Sequence, residues 1–202
     1  MNRITYILIA GGPCSGKTTL VNSLSNELSK YGFKVYVIKD WARELIKEGK
    51  SSGGPLPWTN RVGFEVKVVS KHLEDYRRAL KYSPDIIVED SGPISAIAYC
   101  KIDKVKLPDE VFKEIIEHAS NIDIVILTHM NVNMYFRDSE RWESRDYALK
   151  IHKEIVNVHK ELLSNKVYQI SHSIWPKSKL RYVINYIIKY LKKKGLITKN
   201  HR

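Results

Sequence analysis

The run GGPCSGKTTL at residues 11–20 sets Gly11, Gly16, Lys17 and Thr18 at the spacing G-x-x-x-x-G-K-[ST]. It follows the apolar run ITYILIA (4–10) and precedes a leucine-bearing helical pattern, so the motif falls at the strand-to-helix junction it requires. Glycines there let backbone N–H groups curl around phosphates, and the start of the helix adds its positive end. Residues Gly11, Gly12, Pro13, Cys14, Ser15, Gly16, Lys17, Thr18 and Thr19 are therefore expected to hold ATP. Lys17 would reach the β and γ phosphates, and the Thr18 hydroxyl would hold Mg²⁺.

Further chemistry is expected at the ends of neighbouring strands. The stretch VIKDWAREL places Asp40 and Arg43 one helical turn apart. Ligands of open α/β sheets bind at the carboxyl ends of strands. Asp40 there can take the proton of an attacking hydroxyl, with Arg43 orienting the acceptor; equally, Asp40 can cap the helix with Arg43 in solvent. In IIVEDSGP, Glu89 and Asp90 alternate onto opposite faces of a strand, and the terminal Asp90 is the expected second Mg²⁺ partner. Arg137, Arg141 and Arg145, four apart in YFRDSERWESRDYALKIH, suggest a lid over the triphosphate at about 134–147, although the interleaved acids also suit a salt-bridged surface helix. Trp58, Asn60 and Phe64 could stack on and hydrogen-bond to an acceptor ring, or simply pack.

These residues need a scaffold. Five apolar runs, at 4–10, 33–40, 85–90, 122–129 and 166–171, alternate with helical patterns, which predicts a parallel sheet covered on both faces. Leu20, Leu24 and Leu28 mark the first helix, ending at Gly32. FEVKVVSKHLEDYRRALKYSP predicts another, halted by Pro84 and exposed enough to pair subunits in a homodimer. The Gly- and Pro-rich SSGGPLPW (51–58) reads as a mobile insertion in the acceptor region. A chain of 202 residues suits one such domain over 1–202.

Net charge is +12, and the ten Lys and Arg residues after Glu161 meet no acidic residue, whereas 24 basic and 22 acidic residues make up the remainder. That basic end could bind nucleic acid. It also reads as a helix over 177–194: Leu180, Val183, Ile184, Ile187, Ile188 and Leu191 share one face, and Lys192, Lys193 and Lys194 suit the helix's negative end before Gly195. No apolar run approaches the roughly 20 residues of a membrane span, and the N-terminal one leads directly into the glycine loop, so no secretory leader is expected. Two cysteines, Cys14 and Cys100, make no zinc pattern, which fits the cytoplasm.

LIAGGPCSGKTTLVNSLSNEL, KDWARELIKEG, PDIIVEDSGPISAIAYC, DIVILTH and YFRDSERWESRDYALKIHKEI together resemble the P-loop nucleoside and nucleotide kinase group. Within it the chain is most similar to the AAA-like family that includes the ribosylnicotinamide kinase domain of the NAD-biosynthesis regulator, with thymidylate kinases next. The resemblance, over roughly residues 4–172, implies an α/β three-layer P-loop NTPase fold, sheet order 2-3-1-4-5, and transfer of the ATP γ-phosphate to a nucleoside- or nucleotide-like small molecule. It implies Asp40 as acceptor-side acid, Arg43 as helix arginine, Asp90 as strand acid, and Arg137 or Arg141 as lid arginine. Ser91 stands where many of these kinases carry Arg, which shifts the charge clamp to Arg43 or the lid. The Pro- and Gly-rich acceptor motif of thymidylate kinases is absent. Two alternatives remain: a polynucleotide 5′-hydroxyl kinase holding a strand on the basic end, Trp41 and Trp58, and a nucleotide-dependent regulatory ATPase.

Overall fold

The computed structural model describes residues 3–130, 143–170 and 178–197. Five short strands, β1 (Thr5–Ala10), β2 (Val35–Ile38), β3 (Ile86–Asp90), β4 (Ile124–Leu127) and β5 (Val167–Gln169), form one parallel sheet in the order β2-β3-β1-β4-β5. This is the order the family resemblance implies. In β1, β3 and β4 every residue is buried, as strands covered on both faces must be. Around them run α1 (Lys17–Lys30), α2 (Trp41–Ser52), α3 (Arg61–Tyr82), α4 (Ile94–Ile102), α5 (Asp109–Ser120), α6 (Arg145–Leu163) and α7 (Ser178–Lys193).

Alternation along β1 divides the core in two. Tyr6, Leu8 and Ala10 join Val69, Leu73, Ile97, Ile115 and Ile155 on one face, while Ile7 and Ile9 join Leu20, Leu24, Leu28, Ile184, Ile187 and Leu191 on the other. The three leucines of α1 thus enter the core together, as their spacing of four dictates. α7 packs its apolar face beside α1, and its basic end is solvated: Lys192 rides over the Tyr31 ring and Gly195 ends the helix at φ 68°. Tyr31 caps the far end of α1, so this lysine cluster stands about 20 Å from the phosphate loop, at about 1.5 Å per helical residue.

Two expectations are corrected. The residues of α3 expected at an exposed pairing surface are buried: Phe64, Val68, Val69, His72 and Leu73 all face inward, because the helix packs between α2, α4, α5 and β2. Trp41 is not an exposed platform either. It packs on the core, and its indole N–H donates to Asp75 Oδ2 at 3.0 Å. Trp58 is exposed, with Lys50 over its ring. Among the described residues no helix is long and apolar enough to cross a membrane.

Candidate active site

A cleft of about 390 Å³ opens at the carboxyl ends of β1, β2 and β3. Its phosphate end is formed by Gly11 and by residues 13–19, where β1 turns into α1. The turn is held from behind. Thr128, just past β4, donates from Oγ1 to Ser15 Oγ at 2.7 Å, and Ser15 Oγ donates to the Gly12 carbonyl at 2.8 Å. Gly11 has φ +150°, and a Cβ on it would stand 2.2 Å from Thr128 Oγ1, so only glycine fits.

Gly12 does not line the cleft. Its N–H donates to His152 Nδ1 at 2.9 Å, and its carbonyl takes the Lys17 ammonium at 3.0 Å. A Cβ on Gly12 would lie 2.5 Å from His152 Cβ, so α6 is seated directly on the loop. Burial, with Lys17 and His129 nearby, pushes the His152 imidazole down to about 4, which keeps its nitrogen a neutral acceptor.

Thr18 Oγ1 donates to Asp90 Oδ2 at 2.6 Å. Asp90 is 2% exposed, and its Oδ1 is buried without a hydrogen-bond partner. Burial raises its carboxyl to about 6, Asp40 adds to this, and Lys17, Thr18 and His72 oppose it. These groups fit Mg²⁺, which takes oxygen ligands through one or two carboxylates while phosphates and water complete its shell. A cation at the orphaned oxygen would restore the ionised carboxylate. Among the described residues no group of three or more His, Cys, Asp or Glu forms a fuller metal cage.

Asp40 and Arg43 line the same cleft. Asp40 is the N-cap of α2, with Oδ1 accepting the Ala42 N–H at 3.2 Å, so the capping arrangement is present and the residue still faces the cleft. Arg137 and Arg141 lie outside the described residues, as does most of the expected lid. Arg145 is exposed and opens α6. Asn60 is the N-cap of α3, accepting the Gly63 N–H at 2.9 Å, whereas Phe64 is buried and lines the cleft.

The far half of the cleft contains residues that the sequence reading passed over. Arg61, 8% exposed, donates from Nε to Asp103 Oδ2 at 2.6 Å and from Nη1 to Glu65 Oε1 at 2.8 Å, and stacks on the Tyr99 ring. Tyr147 closes the group by donating to Asp103 Oδ1 at 2.7 Å. Burial raises the Glu65 carboxyl to about 7 against the pull of Arg61, whose guanidinium stays charged between two acids. Glu143, one of the acids interleaved with the arginines of the expected lid, is buried and lines the cleft. Arg61 and Glu65 are four apart, and charged residues on the apolar stripe of a helix are the signal by which they could have been found.

A family model for the AAA domain matches residues 6–175. Among solved structures, the thymidylate kinase of Candida albicans superposes with TM-score 0.66 at 17% identity, covering 99% of this chain and 97% of that one. The NadR protein in complex with NR superposes with TM-score 0.65 at 18% identity, covering 99% of this chain and 52% of that one, so this chain spans about half of NadR's length. No curated protein matches the sequence. The phosphate loop, the sheet order and the family match agree: the chain belongs to the AAA domain family and has the P-loop nucleotide kinase-like fold.

Proposed function

We propose that the protein transfers the γ-phosphate of ATP to a nucleoside- or nucleotide-like small molecule in the cytoplasm. The observation that carries this reading is the lining of the cleft: Lys17 and Thr18, the latter hydrogen-bonded to Asp90 behind it, lead into a second half built from Asp40, Arg43, Arg61, Phe64, Glu65 and Tyr99. A nucleotide hydrolase needs room for water, whereas this space is lined for a ring and its polar groups.

In the proposed reaction the loop and Lys17 bind the triphosphate, and Thr18 and Asp90 hold Mg²⁺. The metal, when bound, neutralises charge on the β and γ phosphates. Asp40 accepts the proton of the acceptor hydroxyl, and Arg43 orients that acceptor. Phe64 and Tyr99 supply apolar walls, while Glu65 and Arg61 offer polar groups held by their own ion pair. Arg137 and Arg141 are assigned to the lid on sequence alone.

The test is ATP labelled at the γ-phosphate, incubated with Mg²⁺ and adenosine, guanosine, cytidine, uridine, thymidine, their 5′-monophosphates, or a 5′-hydroxyl oligonucleotide. Label on one small molecule supports the reading. Label on the oligonucleotide alone, with binding that weakens steeply as salt rises, would favour a polynucleotide kinase.

A further inference from the structure

Beneath the cleft lies a buried polar cluster that the proposed reaction does not use. Glu89 is fully buried at the penultimate position of β3. Its Oε2 accepts the Tyr6 hydroxyl at 2.6 Å, with His118 Nε2 lying 3.4 Å from the same oxygen and 2.8 Å from the Tyr6 hydroxyl. Its Oε1 lies 2.7 Å from His72 Nδ1. Tyr76 stacks on Tyr6 at 5.2 Å and closes the cluster from α3. The carboxylate therefore has partners from β1, α3 and α5. It is held below the ordinary carboxylate range because the two histidines outweigh the cost of burial.

Of these residues only His72 lines the cleft. It follows Phe64, Glu65 and Val68 along the cleft-facing side of α3, one turn beyond Val68. Glu89 fixes the ring by accepting the Nδ1 proton, which leaves Nε2 as the remaining nitrogen. That nitrogen is buried and has no hydrogen-bond partner, in a residue 1% exposed. Buried polar atoms are almost always paired, so an orphan in a ligand cleft signals a group that arrives with the ligand. Asp90 Oδ1 is orphaned as well, on the carboxylate whose other oxygen binds the cleft-lining Thr18.

We propose that His72 is a further substrate-facing residue: its Nε2 hydrogen-bonds the phosphate-receiving end of the acceptor, and Glu89 is the positioning residue that holds the imidazole for that contact. The inference rests on the phosphotransferase reading above, and its test separates the two. His72→Asn keeps a side-chain donor near the Nδ1 position and removes Nε2, while His72→Gln restores a polar atom near the Nε2 position.

With ATP and the same nucleoside and monophosphate panel, His72→Asn is expected to lower kcat/KM for the acceptor by roughly 10- to 100-fold, the cost of one lost hydrogen bond. His72→Gln should recover part of that loss, and the affinity for a non-hydrolysable ATP analogue should stay unchanged in both. In wild-type protein with ¹⁵N-labelled histidine, adding the nucleoside that is phosphorylated should shift the His72 Nε2 resonance. This readout also serves if the variants fail to fold. Wild-type kcat/KM in His72→Asn, or an Nε2 resonance that ignores the acceptor, would overturn the role of His72 while leaving phosphoryl transfer intact. A wild-type protein that phosphorylates nothing in the panel would overturn both.

Discussion

Thr18 Oγ1 lies 2.6 Å from Asp90 Oδ2, tying the first turn of α1 to the last residue of β3. The bond crosses from the phosphate loop to a neighbouring strand end, so the two oxygens expected to share a cation are fixed by separate elements. Thr18→Val removes the donor with little change of shape. It is expected to reduce kcat by on the order of 100-fold, as small misplacements at a reacting centre do. Stability should fall by about 1–3 kcal/mol, because buried Asp90 loses its hydrogen-bond donor, and steady-state kinetics with ATP and Mg²⁺ would check the loss of turnover.

Gly12 is required by its packing against α6. Its hydrogen is replaced at the cost of a clash with His152, 2.5 Å from the Cβ position. Gly12→Ala is therefore expected to lose about 1–3 kcal/mol of stability, typical of overpacking, and to weaken ATP binding by displacing the loop from α6. Urea unfolding and calorimetric titration with ATP would measure the two effects.

Glu65 makes stability depend on pH. Its folded value, about 7, exceeds its ordinary 4.5. Below 4.5 the acid is protonated whether the chain is folded or not, and its contribution is fully present. As pH rises towards 7 the unfolded chain releases the proton first, so stability falls, and above that it levels off. Glu65→Gln is expected to reduce this slope, most clearly between pH 6 and 7, above the value of about 6 at which Asp90 titrates, and urea midpoints measured across the interval would show it.

The Glu89 cluster should be structurally costly to break. Glu89→Ala leaves His72, His118 and the Tyr6 hydroxyl around an empty position, with an expected loss of about 3–5 kcal/mol. Equilibrium unfolding gives the value directly, and a loss below 1 kcal/mol would show that water replaces the carboxylate easily.

The fold and the phosphate end were legible because they depend on short-range pattern. The five apolar runs, the leucines of α1 and the spacing of Gly11, Gly16, Lys17 and Thr18 carry their meaning locally. The acceptor half was less legible because it is assembled across distance. Arg61 meets Asp103 just past the end of α4, and Glu89 meets Tyr6 and His118 from two other elements. The types of Trp58 and Asn60 left open whether they contact a ring or pack; Trp58 is exposed beneath Lys50, and Asn60 caps α3. Asp40 shows that the two expectations for it were not exclusive, since it caps α2 and lines the cleft.

Whether the γ-phosphate goes to an acceptor or to water is read from the fate of a label on it. With γ-labelled ATP, Mg²⁺ and each nucleoside or monophosphate in turn, one acceptor is expected to accelerate ADP release and take up most of the label. Lys17→Ala should abolish both effects. Label recovered only as inorganic phosphate, at a rate that no acceptor changes, would contradict transfer to an acceptor.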